Sequence, residues 1–420
     1  MGRCRLPCRE IKRLVNFDKK ERERTVHILH VTLGFYPALT WGGPVKVVYQ
    51  NGRELVRRGH RVTVYCTNLL DKKNKIHPGT FEREMDGMRI VYFDTWNIHW
   101  WPGTLGPFWL PDLRTYLKRE IAEFDVVHLN GHRSPMNLLA GTAARNAGIP
   151  IVTQGHGTFT IGINSLWTKR LYDWVFGSIE VKQNSAFIAL QDIERQQAVA
   201  YGFPEASIEI IPNGIDCMSR EKLPDPGSFR RRFGFDLERP LILFLGRINK
   251  IKGTDMLIKA FARLQDPDAQ LAVAGPDDGQ LTEVQRLVQK YGLEKRVIIP
   301  GVLSPSAVLA AYQDADLFVL PSRFDAYPTT IMEACLFGKP MVITEGCGTA
   351  SLVRDRVADV VPFDADEFAA AMQRLLTDRE RYDRYRANCQ EMVAHTFSIK
   401  AVIDRLEALY ERVIAEKENG

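Results

Sequence analysis

Apolar and polar positions follow two alternating patterns along this chain. Short apolar runs give way to stretches in which apolar residues recur every three or four positions. VHILHVTLGF (26–35) predicts a buried strand, PVKVVYQNGRELVRRG (44–59) an amphipathic helix closed by Gly59, and RVTVYCTN (61–68) the next strand. The beat continues through DVVHLNG (125–131), IPIVTQGHG (149–157), AFIALQ (186–191) and SIEIIPNGID (207–216), with helical segments between. Such alternation predicts βαβ units and a parallel sheet.

Residues 217–239 are polar and marked by Pro and Gly, as a linker would be, and then the pattern restarts. Strands are expected at 241–248, 269–277, 296–301, 316–322, 340–346 and 357–363, and helices at 253–265 and 281–292. The chain closes in helices at 378–394 and 399–417. The expected fold class is α/β, with two Rossmann-like doubly wound parallel-sheet domains in tandem at 25–216 and 240–395. Residues 1–24 form an arm ahead of the first, and 396–420 a terminal helix after the second. WNIHWWPGTLGPFWLPDL (96–113) breaks the beat. It holds four of the seven tryptophans and suits a membrane interface or a sugar-binding wall; the plainer reading is an irregular cap on a core.

Composition narrows the function classes. The chain has 45% hydrophobic and 25% charged residues, as in a globular protein with sizeable cores. No apolar run is long enough to predict a transmembrane helix, and charge occupies the place of a signal peptide's apolar region, so a cytoplasmic location is expected. The seven cysteines form no paired metal spacing and read as reduced, structural thiols. The net charge of +5 belongs wholly to residues 1–24, which hold nine Lys/Arg and four Asp/Glu. A neutral body argues against a nucleic-acid partner. The basic arm fits contact with an anionic membrane surface, or equally a solubilising tail.

Candidate chemistry gathers in the turns beyond the strands' carboxyl ends, where open parallel sheets bind ligands. Gly42 and Gly43 precede the first helix, where bare backbone N–H groups meet an anion at its positive end. Arg247 and Lys252 follow the first strand of the second half and together suit a diphosphate. His156 stands between two glycines at another strand end. In SRFDAYPTTIMEACLFGKPMV (322–342), Asp325 precedes a helix that carries Glu333. Eight helical residues span about 12 Å, too far for both carboxylates to act on one glycosidic bond. Asp314 and Asp316 form a DxD string at the wrong end of the sheet for a metal serving this site. No P-loop, dinucleotide fingerprint or hydrolase nucleophile motif appears.

GRINKIKG with Arg247 and Lys252, IPNGID (211–216), a carboxylate followed by EACLFGKP, GGPVKVVYQNGRELVRRGHRVTV and the HG at 156–157 together resemble the retaining glycosyltransferases of family 4. The resemblance covers residues 26–415. It implies the GT-B fold, two Rossmann-like domains facing a central cleft, and a nucleotide-sugar donor, UDP- or GDP-linked, with no cofactor and no metal. Arg247 and Lys252 would then stabilise the departing diphosphate and Glu333 would bind the ribose. Gly43 would offer its N–H to donor or acceptor, and His156 would face the donor sugar. Backbone N–H groups near Thr329 and Thr330 would meet the diphosphate, and Asp325 would lie at the sugar end. The last helix would cross back onto the first domain. The family pattern usually has Glu–Gly where this chain has Asp325 and Ala326.

The expected reaction moves the sugar to a hydroxyl of a glycan or lipid-linked acceptor, with retention, in cell-surface polysaccharide or glycoconjugate synthesis. The arm and the aromatic segment would place it at the inner membrane face. A nucleotide-sugar hydrolase or epimerase of the same fold, and a non-catalytic sugar-nucleotide binding protein, are the alternatives.

Overall fold

The computed structural model describes residues 25–41, 43–71, 74–95, 110–157, 170–215 and 224–419. The basic arm, Gly42 and the 96–109 part of the aromatic segment lie outside the described residues.

The first sheet contains β1 (His27–Val31), β2 (Arg61–Thr67), β3 (Phe81–Met85), β4 (Met88–Phe93), β5 (Val126–Asn130), β6 (Ile151–Gln154), β7 (Ala186–Ala189) and β8 (Ile208–Ile210). Their order is β3-β4-β2-β1-β5-β6-β7-β8. The second sheet contains β9 (Leu241–Leu245), β10 (Gln270–Ala274), β11 (Val297–Gly301), β12 (Leu317–Leu320), β13 (Met341–Thr344) and β14 (Ala358–Val361), ordered β11-β10-β9-β12-β13-β14. That is the strand order of a nucleotide-binding sheet, whose ligand crevice opens where the order reverses. Here the reversal lies between β9 and β12, and in the first sheet between β1 and β5.

Strands β1, β2, β5, β6, β7, β9, β10, β12 and β13 are buried along nearly their whole length. Helices on both faces explain why they read as continuous Val/Ile/Leu runs rather than alternating ones. The helix Gly43–Arg57 turns Val45, Val47, Val48 and Leu55 inward.

Two expectations need correction. The first sheet is not wholly parallel, because β3 pairs antiparallel with β4. Asp86 and Gly87 both take positive φ, 50° and 78°, the geometry of a tight hairpin turn. The outer strand carries Glu82, Arg83 and Glu84 exposed, which discourages pairing along this open edge. The linker read over 217–239 also extends too far. Residues Ser228–Phe233 are helical, and Phe229 and Phe235 enter the second domain's core. Asp314 secures that helix by accepting from the backbone N–H groups of Gly227 at 2.6 Å, Phe229 at 2.9 Å and Arg230 at 3.3 Å.

The last helix, Ile399–Glu418, lies on the first domain. Its Val402, Ile403, Leu406, Leu409, Tyr410 and Val413 are buried in a core shared with Ile28, Val64 and Val126. Phe397, two residues before the helix, still belongs to the other core. Ile215 donates its N–H to Phe397 O at 2.7 Å and accepts from Ile399 N at 3.0 Å, so the two chain crossings run side by side. Arg58 adds bonds to Asp404 at 2.5 Å and Glu407 at 2.7 Å.

Candidate active site

Beyond β9 the chain turns through Gly246–Gly253. Gly253 has φ +70°, and a Cβ there would overlap the carbonyl oxygen of Pro321, so the turn lies hard against the end of β12. Asn249 organises it, accepting from Lys252 N at 2.8 Å and donating to Asp278 at 2.8 Å. Arg247, 60% exposed, bonds the same Asp278 oxygen at 2.8 Å. Lys252 and Asp325 form an ion pair with both side chains mostly buried.

The Asp325 loop is held by its backbone: Asp325 N donates to Gly346 O at 2.9 Å, and its O accepts from Gly348 N at 2.7 Å. Arg323 forks onto Asp255 with two 2.9 Å bonds and stacks 4.3 Å over the Phe363 ring. Burial works against the Asp255 carboxylate, but the Arg323 guanidinium holds it below its ordinary range. Pro328 caps the helix Thr329–Leu336. Thr329 and Thr330 are its first two residues, whose N–H groups have no intrahelical acceptor. Glu333, half-buried on this helix, accepts from the Tyr312 hydroxyl at 2.8 Å. Burial, then the Glu333 charge, drives the Tyr312 phenol well above its ordinary range, so it stays a donor. Asp325 and Glu333 thus hold separate partners, as a pair that does not share one bond should.

From the first domain, His156 follows β6 with φ +52°, a conformation costly for a residue with a side chain. Its Nε2 lies 3.1 Å from Asn130 Oδ1. Burial lowers its pKa to about 4, so the ring is neutral at neutral pH. Glu194, 2% exposed, accepts from Gly157 N and Leu190 N at 2.7 Å each, which fixes the turn. Burial raises the Glu194 pKa against the pull of those two bonds. Gly157 sits so close to the Asp325 loop that a Cβ on it would come within 2.7 Å of Ala326 Cβ. Gln191 Nε2 donates across the domains to Ala326 O at 2.8 Å. His156 and Asp325 are therefore each one residue away from a direct contact between domains. Gly43 opens the helix Gly43–Arg57 with free space where a Cβ would stand.

The structure thus brings Arg247, Lys252, Asp325, Thr329, Thr330 and Glu333 around the β9–β12 reversal, with His156 approaching from the other sheet. Sequence reasoning missed Asn130, Gln191, Asn249, Asp255, Asp278 and Arg323. For Asn249 the signal was present, inside GRINKIKG itself. Asp314 and Asp316 are structural: besides the helix bonds above, Asp316 pairs with Arg230 at 2.7 Å and accepts from Leu241 N at 2.8 Å. Among the described residues, no group of three His, Cys, Asp or Glu is placed to hold a metal. Cys66, Cys335, Cys347 and Cys389 are buried free thiols.

Two family models match this chain, Glycosyltransferase Family 4 over residues 41–218 and Glycosyl transferases group 1 over 227–392. A D-inositol 3-phosphate glycosyltransferase of Nocardia farcinica is 25% identical over 362 residues, 82% of this chain and 79% of that protein. An alpha-D-kanosaminyltransferase of Streptomyces kanamyceticus is 32% identical over 188 residues, 44% of this chain and 48% of that one. The crystal structure of Anabaena HepE in complex with UDP superposes with a TM-score of 0.73 at 18% identity, over 92% of this chain and all of that one. At that identity the likeness speaks to the fold.

Proposed function

The chain belongs to the family 4 glycosyltransferases of GT-B fold and uses a nucleotide-sugar donor, and we infer that it transfers the sugar with retention to a hydroxyl of a glycan or lipid-linked acceptor. The observation that carries the reading is the cluster at the β9–β12 reversal. Lys252 pairs with Asp325 in the loop that leads into the helix Thr329–Leu336, Arg247 belongs to the same turn as Lys252, and Glu333 lies further along that helix. Cations and unpaired N–H groups at one end and a carboxylate at the other suit an extended nucleoside diphosphate sugar. UDP bound to the HepE relative supports a UDP donor; GDP is the other base the same groups would accept.

The bond between the anomeric carbon and the diphosphate oxygen breaks, and its electron pair leaves with the diphosphate. Arg247 and Lys252 meet that developing charge from fixed positions, in the role a metal ion plays elsewhere. The acceptor oxygen forms the new bond on the same face and passes its proton to a diphosphate oxygen. Asp325 then has an electrostatic task rather than a nucleophilic one, since Lys252 already holds its carboxylate. We propose that Gly43 offers its N–H to donor or acceptor, and that Asp325 and His156 border the sugar. We further propose cell-surface polysaccharide or glycoconjugate synthesis, with the 1–24 arm and the aromatic segment touching an anionic membrane. No described helix is long and apolar enough to cross one.

Thermal shift against UDP-, GDP- and ADP-sugars is the test. The true donor at 100 times its Kd should add about 2.7 kcal/mol of stability. Nucleoside diphosphate release should then require an acceptor and give a product of unchanged anomeric configuration by NMR. Rapid release without any acceptor would replace transfer by hydrolysis, and inversion would remove the retaining mechanism.

A further inference from the structure

Asn130, the last residue of β5, is buried, and its surroundings fix which way its amide faces. Its Nδ2 lies 3.3 Å from the carbonyl oxygen of Val31, 3.2 Å from that of His128 and 3.3 Å from His30 Nδ1. Reversing the amide would set its oxygen against two carbonyl oxygens, so this end must be the NH2 group. The other end, Oδ1, faces His156 Nε2 and only accepts. In the neutral imidazole the proton therefore sits on Nε2, and Nδ1 carries the free lone pair. Nδ1 of His156 is shut off from solvent and has no hydrogen-bond partner among the described residues. His156 has positive φ, and the next residue, Gly157, packs against Ala326 of the Asp325 loop.

We propose that Asn130 is a positioning residue that holds His156 as its Nε2–H tautomer, leaving Nδ1 as an acceptor for a hydroxyl or amino group of the donor sugar. The proposal rests on the reading above that His156 borders the sugar. Asn130 is itself well anchored. His30 and His128 are fully buried with ring centroids 4.8 Å apart. His128 Nδ1 lies 2.6 Å from the hydroxyl of Tyr410, on the helix that crosses back from the second domain. The seat of His156 is thus made by β1, β5 and the last helix together. A donor with no hydrogen to give at this point would leave the buried Nδ1 unpaired, which disfavours it.

The tautomer can be read without turnover. Protein with 15N-labelled histidine, with His156 assigned through His156→Gln, should show a protonated, exchange-protected Nε2 and an unprotonated Nδ1. A protonated Nδ1 in the wild type would overturn the proposal. Asn130→Leu should remove the exchange protection of the Nε2–H and lower kcat about tenfold. Unchanged protection and kcat in folded Asn130→Leu would show that Asn130 serves packing alone, even if Tm fell. Failure of the glycosyltransfer reading would look different: no variant would turn over any donor, yet the wild-type tautomer would stand.

Discussion

The two domains offer the shared site opposite kinds of chemistry from the same topological place. Beyond β9 and β12 the second domain presents ions: Arg247 with Asp278, Lys252 with Asp325, and Arg323 with Asp255. At the ends of β5 and β6 the first domain carries neutral hydrogen-bonding groups, Asn130 and His156, over the uncharged His30 and His128, and its nearest ion pair, Arg133 with Asp173, lies further along the loop after β5. A fold repeated twice therefore has its roles divided by electrostatics rather than by shape. The charged half suits a leaving group that gains charge. The neutral half suits an uncharged sugar, whose hydroxyls need orientation more than attraction.

Removing the cations tests this division hardest. Arg247→Ala with Lys252→Ala should lower kcat about 10³-fold, since even one preorganised donor at a developing anion is worth 10² to 10³. Donor KM should change much less, because the interaction strengthens as the bond breaks. A double variant that retained wild-type kcat would place the leaving group elsewhere and end the assignment of roles.

How far the sequence told this story depends on the range of the interactions. The buried strands were legible because burial on both faces leaves long apolar runs, and Gly43–Arg57 because one face alone is apolar. The β3–β4 hairpin was missed although its Asp86–Gly87 turn was in plain view. The helix Ser228–Phe233 had no comparable local signal. Its sequence is rich in arginine, and its caps come from Asp314, 84 to 87 residues away. The site divides in the same way. Arg247, Lys252 and Glu333 were proposed from local motifs. Asp255 with Arg323 and Asn130 with His156 are partners 68 and 26 residues apart that meet only through the sheets. The closeness of Lys252 to Asp325 was likewise invisible, and it moves Asp325 from an isolated carboxylate to half of an ion pair.

Acid should separate the halves physically. Burial lowers the pKa of His156 to about 4 and that of His30 to about 3, from an ordinary 6.5. The unfolded chain thus binds protons at these residues before the folded one does. Their contribution to stability is complete above about pH 6.5 and is lost as pH falls towards 4 and 3; His156 alone accounts for about 3 kcal/mol. In the second domain, the lowered pKa of Asp255 gives stability that persists until pH drops below about 3.8. Hydrogen exchange corrected for intrinsic rate should show peptides from β1, β5 and β6 losing protection near pH 5 while those from β9 and β12 keep theirs. Simultaneous loss in both sheets would contradict the electrostatic contrast.

The finest test lies where the halves touch. Asp325 is held at its backbone by Gly346 and Gly348 and at its side chain by Lys252, while Ala326 Cβ rests against Gly157 of the other domain. The carboxylate therefore cannot simply swing out to replace the reach of the glutamate usual in the family. Asp325→Glu adds one methylene to a side chain whose root is fixed, so its carboxylate must leave its present place against Lys252, and on the proposal that Asp325 borders the sugar it reaches further towards it. One methylene in a shaped site changes discrimination by roughly tenfold or somewhat more. Kinetics with pairs of donors that share a base and differ in the sugar should show kcat/KM ratios shifting by that amount, with kcat for the native donor reduced less than tenfold. If the ratios stayed constant, Asp325 would be acting only to hold Lys252 in place, and the choice of sugar would rest with the neutral half.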